Sequence, residues 1–174
     1  LSVIRIVDYG LGNVQAFLNI YKRLGVPASR ARSPAELDDA THLIIPGVGA
    51  FDHAMTSLTS SGMREKLEER VLSEQVPVLG VCVGMQILSS GSDEGELAGL
   101  NWVPGRVRAF AENTLMRDLP LPHMGWNDVE VKVRNGLTSA LDASPRFYFL
   151  HSFYFDSHET DCVAATATYG VEFA

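Results

Sequence analysis

Cysteine is scarce in this chain: two residues in 174, Cys82 and Cys162, 80 positions apart and outside any CxxC or histidine-rich cluster. That spacing supports neither a disulfide framework nor a zinc site, and in a reducing compartment both are expected as free thiols. Long hydrophobic runs are missing as well. No stretch approaches the roughly 20 apolar residues that a bilayer-crossing helix needs, and the first residues show none of the basic, apolar and small-residue zones of a secretory leader. The expectation is a soluble protein of the cytoplasm with no membrane partner. Positive charge is also short, with 14 Lys+Arg against 21 Asp+Glu and a net charge of −7. Nucleic-acid binding wants a basic face, so that class is set aside in favour of a small-molecule substrate. No Pro/Ser-rich linker, internal repeat or low-complexity tract divides the sequence, and its 46% hydrophobic content suits one compact core. Residues 1–174 are therefore read as a single domain, and nothing in them asks for a metal or organic cofactor.

What is present alternates. VIRIVD (Val3 to Asp8) is a β-branched run ending in the turn YGLGN; after it, Val14, Phe17, Leu18, Tyr21 and Leu24 fall at helix spacing, closed by Gly25. PASRA (Pro27 to Ala31) reads as a second strand, then Ser33 and Glu36 as the capping box of a short helix. THLIIPG reads as a buried strand. Met63 to Gln75 is amphipathic, with Met63, Leu67, Val71 and Leu72 on one face, and leads into the strand VPVLGV. This order predicts an α/β, three-layer fold, a mostly parallel central sheet with helices on both faces. Beyond about residue 100, GRVRAF, DVEVKV, RFYFLHSFYF and DCVAATATYG read as strands with little helix between them, an antiparallel extension of the same domain.

One stretch carries chemistry. Gly80 to Gly84 reads G-V-C-V-G, between an apolar strand and a helix beginning near Val83. This is the nucleophile-elbow pattern: the tight turn exposes Cys82, and the flanking glycines let strand and helix approach. N–H groups at a helix start favour a thiolate. A buried structural cysteine is the competing reading, since free cysteines commonly end that way. PGVG (Pro46 to Gly49) follows another strand of the parallel sheet, so it lies at the same edge, where backbone N–H groups could meet a developing oxyanion. An ordinary strand-to-helix loop would look the same.

DYGLGN, LIIPGVGAF, PVLGVCVGMQIL, SDEG, PHMGWN and FYFLHSFY, in this order, resemble the glutaminase subunits of imidazole glycerol phosphate synthase, within the class I glutamine amidotransferases of flavodoxin-like fold. The resemblance runs from about Val3 to Ala174. It implies that Cys82 attacks the side-chain amide of glutamine, that ammonia leaves and that water hydrolyses the glutamyl thioester. It places the oxyanion donors at the Val83 N–H and in the Val48–Gly49 turn, with the Val48 amide joining once that loop takes its active conformation. It gives Gln86, Glu94, His151, Ser152 and Phe153 to substrate binding, where Phe153 stands at a position often held by tyrosine. It gives Trp126, Asn127 and Tyr148 to the interface with a (β/α)8-barrel cyclase subunit, with Trp126 and Tyr148 where ammonia passes between subunits. Without the resemblance, Gln86 could be solvent-facing and Trp126 a core residue.

A thiolate nucleophile needs a histidine base oriented by a carboxylate. In the family these come in an F-H-P-E type segment near the C-terminus, and this sequence stops at YGVEFA. His123 and His151 lie in matched segments with other roles, and His42, His53 and His158 look incidental. The expectation is that the 174 residues alone are inactive or severely impaired, that the catalytic histidine and glutamate lie beyond Ala174, and that the missing segment leaves a sheet edge exposed or disordered. Other readings stay open. The same chemistry could feed amidino-sugar synthesis in a surface-polysaccharide pathway, which NVQAFLNIYKRLGVP suggests. A non-catalytic binding subunit would keep the interface without the reaction, and an unrelated cysteine hydrolase would not explain PHMGWN.

Overall fold

The computed structural model describes residues 2–113 and 119–174. Four short strands, β1 (Ile4–Val7), β2 (Ala28–Ala31), β3 (His42–Gly47) and β4 (Val78–Cys82), form a parallel sheet in the order β2-β1-β3-β4. The two central strands, β1 and β3, are mostly buried, as their near-continuous apolar runs require, while the edge strands β2 and β4 are partly exposed. Helix α1 (Val14–Arg23) covers one face, with Val14, Phe17, Leu18 and Tyr21 against Ile4, Ile6 and Ile44. The helix starts where the Asn13 side chain accepts a 3.0 Å bond from the Ala16 N–H, a capping contact worth about 1 kcal/mol. Helices α2 (Phe51–Ser60) and α3 (Arg64–Glu68) cover the other, burying Phe51, Met55, Leu58 and Leu67 with Val7, Leu43 and Ile45. The three-layer α/β arrangement is thus as the sequence predicts.

Two local readings need correction. The helix expected over Met63 to Gln75 is α-helical only to Glu68 and continues as a π-helical turn over Glu69–Ser73. The wider turn rotates the apolar stripe out of line: Met63 and Leu67 are buried, Val71 is half-buried, and Leu72 is 56% exposed. The capping box at Ser33 is not made. Ser33 makes no cap bond and a 3₁₀ turn follows over Pro34–Leu37, while the Glu36 carboxylate reaches one residue further back, to the Arg32 N–H at 2.7 Å.

A one-turn helix α4 (Val83–Gln86) follows β4. The second half is antiparallel: β5 (Gly105–Ala109) pairs with β8 (Phe153–Ser157), and β6 (His123–Val131), β7 (Arg146–His151), β9 (Ala165–Tyr169) and β10 (Val171–Phe173) form a sheet in the order β10-β9-β6-β7. RFYFLHSFYF, read as one strand, is two strands in different sheets, broken at Ser152, whose carbonyl is bonded by the Phe110 N–H at 3.1 Å. DCVAATATYG is a 3₁₀ turn over Thr160–Cys162 and then β9. β6 starts five residues before the expected Asp128. An aromatic core of Phe110 and Phe173 with Phe149, Tyr154 and Tyr169 lies between these strands.

Candidate active site

Cys82 is the last residue of β4 and the residue before α4, with φ 57° and ψ −123°, a conformation that L side chains rarely adopt. Such strain persists only where the surroundings enforce it. Three glycines supply the enforcement by letting backbones touch. A Cβ on Gly80 would lie 2.6 Å from the Gly84 carbonyl oxygen, one on Gly84 would collide with the Ile45 carbonyl oxygen, and one on Gly47 would collide with the Gly84 nitrogen. Only glycine lets β3, β4 and α4 close on one another, so the elbow holds the thiol at the sheet edge.

In register, Gly47 stands directly beside Cys82, so the PGVG turn begins at the nucleophile. Val48 is 58% exposed, and Gly49 adopts φ 94°, a turn that glycine makes without strain. The strand before the turn is pinned by a residue the sequence reading passed over inside DYGLGN: the buried Tyr9 hydroxyl donates to the Pro46 carbonyl at 2.8 Å. Burial first, and the neighbouring Cys82 second, push the Tyr9 phenol up to about 12. The linkage has a definite sign. Tyr9 keeps its proton in the folded protein while the unfolded chain loses it from about pH 10, so this contribution is full below pH 10 and lost as pH rises to about 12. Its size is roughly 2–3 kcal/mol. Denaturant titrations at pH 9 and 11.5 are expected to show that loss in the wild type and a smaller one in Tyr9→Phe.

A cavity of about 280 Å³ opens over Cys82. The expected oxyanion residues Gly49 and Val83 line it, as do the expected substrate residues Gln86, Glu94, His151, Ser152 and Phe153. Gln86 is 9% exposed, which removes the solvent-facing reading. Glu94 is placed by α2, a helix that the sequence reading did not find: its Oε2 accepts the Phe51 N–H at 2.9 Å. Asp52 in the same helix turn accepts the N–H groups of Glu96 and Leu97, at 2.9 and 3.0 Å, and so ties the SDEG loop to α2.

His151 shares the cavity wall with Cys82, but its ring is engaged at both nitrogens, Nδ1 with the Phe153 carbonyl and Nε2 with His123 Nδ1, each at 2.8 Å. Burial holds both imidazoles below the ordinary histidine range, and for His123 the neighbouring His151 adds to it. So engaged, the His151 ring offers no free lone pair to a proton from Cys82. On β6 and β7, Trp126 and Tyr148 stand directly opposite each other, 65% and 55% exposed, their rings edge to face at 5.9 Å. Asn127 lies on the other face of β6, where its Nδ2 donates to the Thr168 carbonyl at 2.9 Å.

A cysteine on a strand-to-helix elbow, beside a glycine turn and above a cavity with an amide and a carboxylate in its wall, is the equipment of an enzyme that transfers acyl groups through a thioester. Residues 5–172 match the family model Glutamine amidotransferase class-I, and the chain belongs to that family. It is 57% identical over 172 residues to the Imidazole glycerol phosphate synthase subunit HisH of Bdellovibrio bacteriovorus, covering 99% of this chain and 84% of that one. It is 45% identical to the subunit of the same name from Leptospira interrogans, over 98% of this chain and 84% of that one. The fold is likewise that of a solved glutamine amidotransferase, with a TM-score of 0.72 at 19% identity over 98% of this chain and 87% of that one.

Proposed function

We propose that the protein is the glutaminase subunit of an imidazole glycerol phosphate synthase, releasing ammonia from glutamine for a (β/α)8-barrel cyclase in histidine biosynthesis. The observation that carries this reading is the convergence of Cys82, Gly49, Val83, Gln86, Glu94 and the His151–Phe153 segment on one cavity. The Cys82 thiolate adds to the side-chain carbonyl carbon of glutamine, and the oxygen takes up negative charge beside the Val83 N–H and the Val48–Gly49 turn. Oriented N–H donors at such a position lower the barrier by about 3 kcal/mol each. The C–N bond breaks as nitrogen takes up the proton that the thiol gave to a general base, ammonia departs, and water then adds to the glutamyl thioester, its OH going to glutamate and its proton, through the same base, to the free thiol. Gln86 and Glu94, with the His151–Phe153 backbone, hold the substrate's polar groups. The relatives' names support the histidine pathway over amidino-sugar synthesis.

Ammonia protonates near neutral pH and loses nucleophilicity, so it is best handed over directly. A larger cavity of about 580 Å³, lined mostly by apolar side chains, includes both Cys82 and Tyr148, and so leads from the thiol towards the strand pair that bears Trp126. We assign Trp126 and Tyr148 to the partner interface, with Asn127 bracing their strand pair from the opposite face. An exposed tryptophan of this kind acts as an interface anchor. Trp126→Ala is expected to weaken binding of the cyclase subunit about 30-fold by titration calorimetry; undiminished affinity would remove Trp126 from the interface. The functional reading is tested by glutamate release from glutamine in the full-length protein with its barrel partner and the partner's ligand.

A further inference from the structure

Four groups form a single hydrogen-bond chain between the strand pair that bears the aromatic patch and the wall of the Cys82 cavity. Its directions follow from chemistry. The Phe153 carbonyl can only accept, so His151 carries its proton on Nδ1. Its Nε2 is then a lone pair, and His123 Nδ1 must donate to it. That leaves His123 Nε2 as an acceptor, facing Asn127 Nδ2 at 3.5 Å. The Asn127 amide is oriented independently, because its Oδ1 accepts the Asp128 N–H at 2.9 Å while Nδ2 donates to Thr168. Both rings are thereby fixed in the Nδ1–H tautomer. The pair sits at the cross-strand position His123↔His151, with His123 4% exposed and stacked between Phe149 and Tyr169 at ring separations of 4.9 and 4.0 Å.

Packing alone would ask only for a flat ring in this slot. What the imidazole adds is the one donor that meets the inner nitrogen of His151, at the bend where β7 ends and β8 begins. We propose that His123 is a positioning residue, whose hydrogen bond to His151 fixes the His151–Phe153 bend in the shape that receives substrate. Because Trp126 and Asn127 ride on the same strand as His123, the chain also joins the proposed partner face to the substrate wall. The inference rests on the glutaminase reading for what the bend receives.

Two variants separate the roles. His123→Phe keeps the stacked ring and removes the donor; His123→Asn gives up the stacking but places an N–H close to the original Nδ1. In the full-length protein with its partner, His123→Phe is expected to raise the KM for glutamine about tenfold, with kcat within about threefold, while His123→Asn stays within about threefold of wild type in KM. Thermal stability should rank the other way, Phe above Asn. Wild-type KM in His123→Phe, or an Asn variant as impaired as Phe, overturns the proposal. The ¹H–¹⁵N two-bond spectrum of the wild-type rings is expected to show both in the Nδ1–H form, and an Nε2–H form at either ring overturns it too. If the wild-type protein released no glutamate, the functional reading would fail, while this spectrum would still judge the hydrogen-bond chain.

Discussion

Cys82→Ala is expected to lower glutamate release by about 10³-fold or more, with folding unchanged. The loss is large because the thioester route has no second nucleophile: the only other cysteine in the sequence, Cys162, lies in the 3₁₀ turn before β9 and is not part of the cavity wall. Folding should survive because the Cys82 side chain is exposed at the sheet edge and removing its sulfur leaves no core void. Alanine also relieves nothing: the backbone at φ 57° remains strained for any residue with a Cβ. Stability measured by denaturant should therefore stay within about 1 kcal/mol of wild type, and partner binding should persist. A variant that keeps substantial glutamate release would remove Cys82 from the chemistry.

Gly84→Ala should do the reverse and damage the fold and the site together. A methyl group at this position meets the Ile45 carbonyl oxygen and comes within 2.8 Å of its carbon, all of it backbone in a central strand that has no room to yield. Alanine would otherwise be welcome in a helix, by about 1 kcal/mol over glycine, so any net loss measures the steric cost. We expect destabilisation of about 3 kcal/mol and a fall of about 100-fold in kcat as α4 is pushed off β3 and the elbow shifts. Gly25→Ala is the control: φ is 67° with nothing within 4 Å of the added carbon, so its cost is conformational, about 1 kcal/mol, with activity retained. Equal effects from the two substitutions, read as urea midpoints and turnover, would contradict the close-approach account of the elbow.

Much of this was legible because the signals are local. Strand β3 is an apolar run that ends in Pro46 and Gly47, and G-V-C-V-G announces a tight strand-to-helix turn within five residues. The relations that finish the site are not local. Glu94 is oriented by the first N–H of a helix 43 positions earlier; that helix, FDHAMTSLTS, was legible from Phe51, Ala54, Met55 and Leu58 at helical spacing, but its contact with Glu94 was not. The pairing of His123 with His151 depends on the register of β6 and β7, and Pro122 and Gly125 disguise the start of β6 as a loop. Tyr9 could have been nominated from its place in DYGLGN, but its bond to the Pro46 carbonyl spans 37 positions and follows only from the order β1-β3 in the sheet.

The role proposed for Cys82 is to carry the glutamyl group during turnover. It is tested most directly by acid-quenching the full-length protein, with its partner, during turnover of isotopically labelled glutamine, and then mapping the label by peptide mass spectrometry. A glutamyl adduct is expected on the peptide containing Cys82, labile to hydroxylamine as a thioester is, and absent from Cys82→Ala. Label on a different residue, or undiminished glutamate release once Cys82 is alkylated, would contradict it.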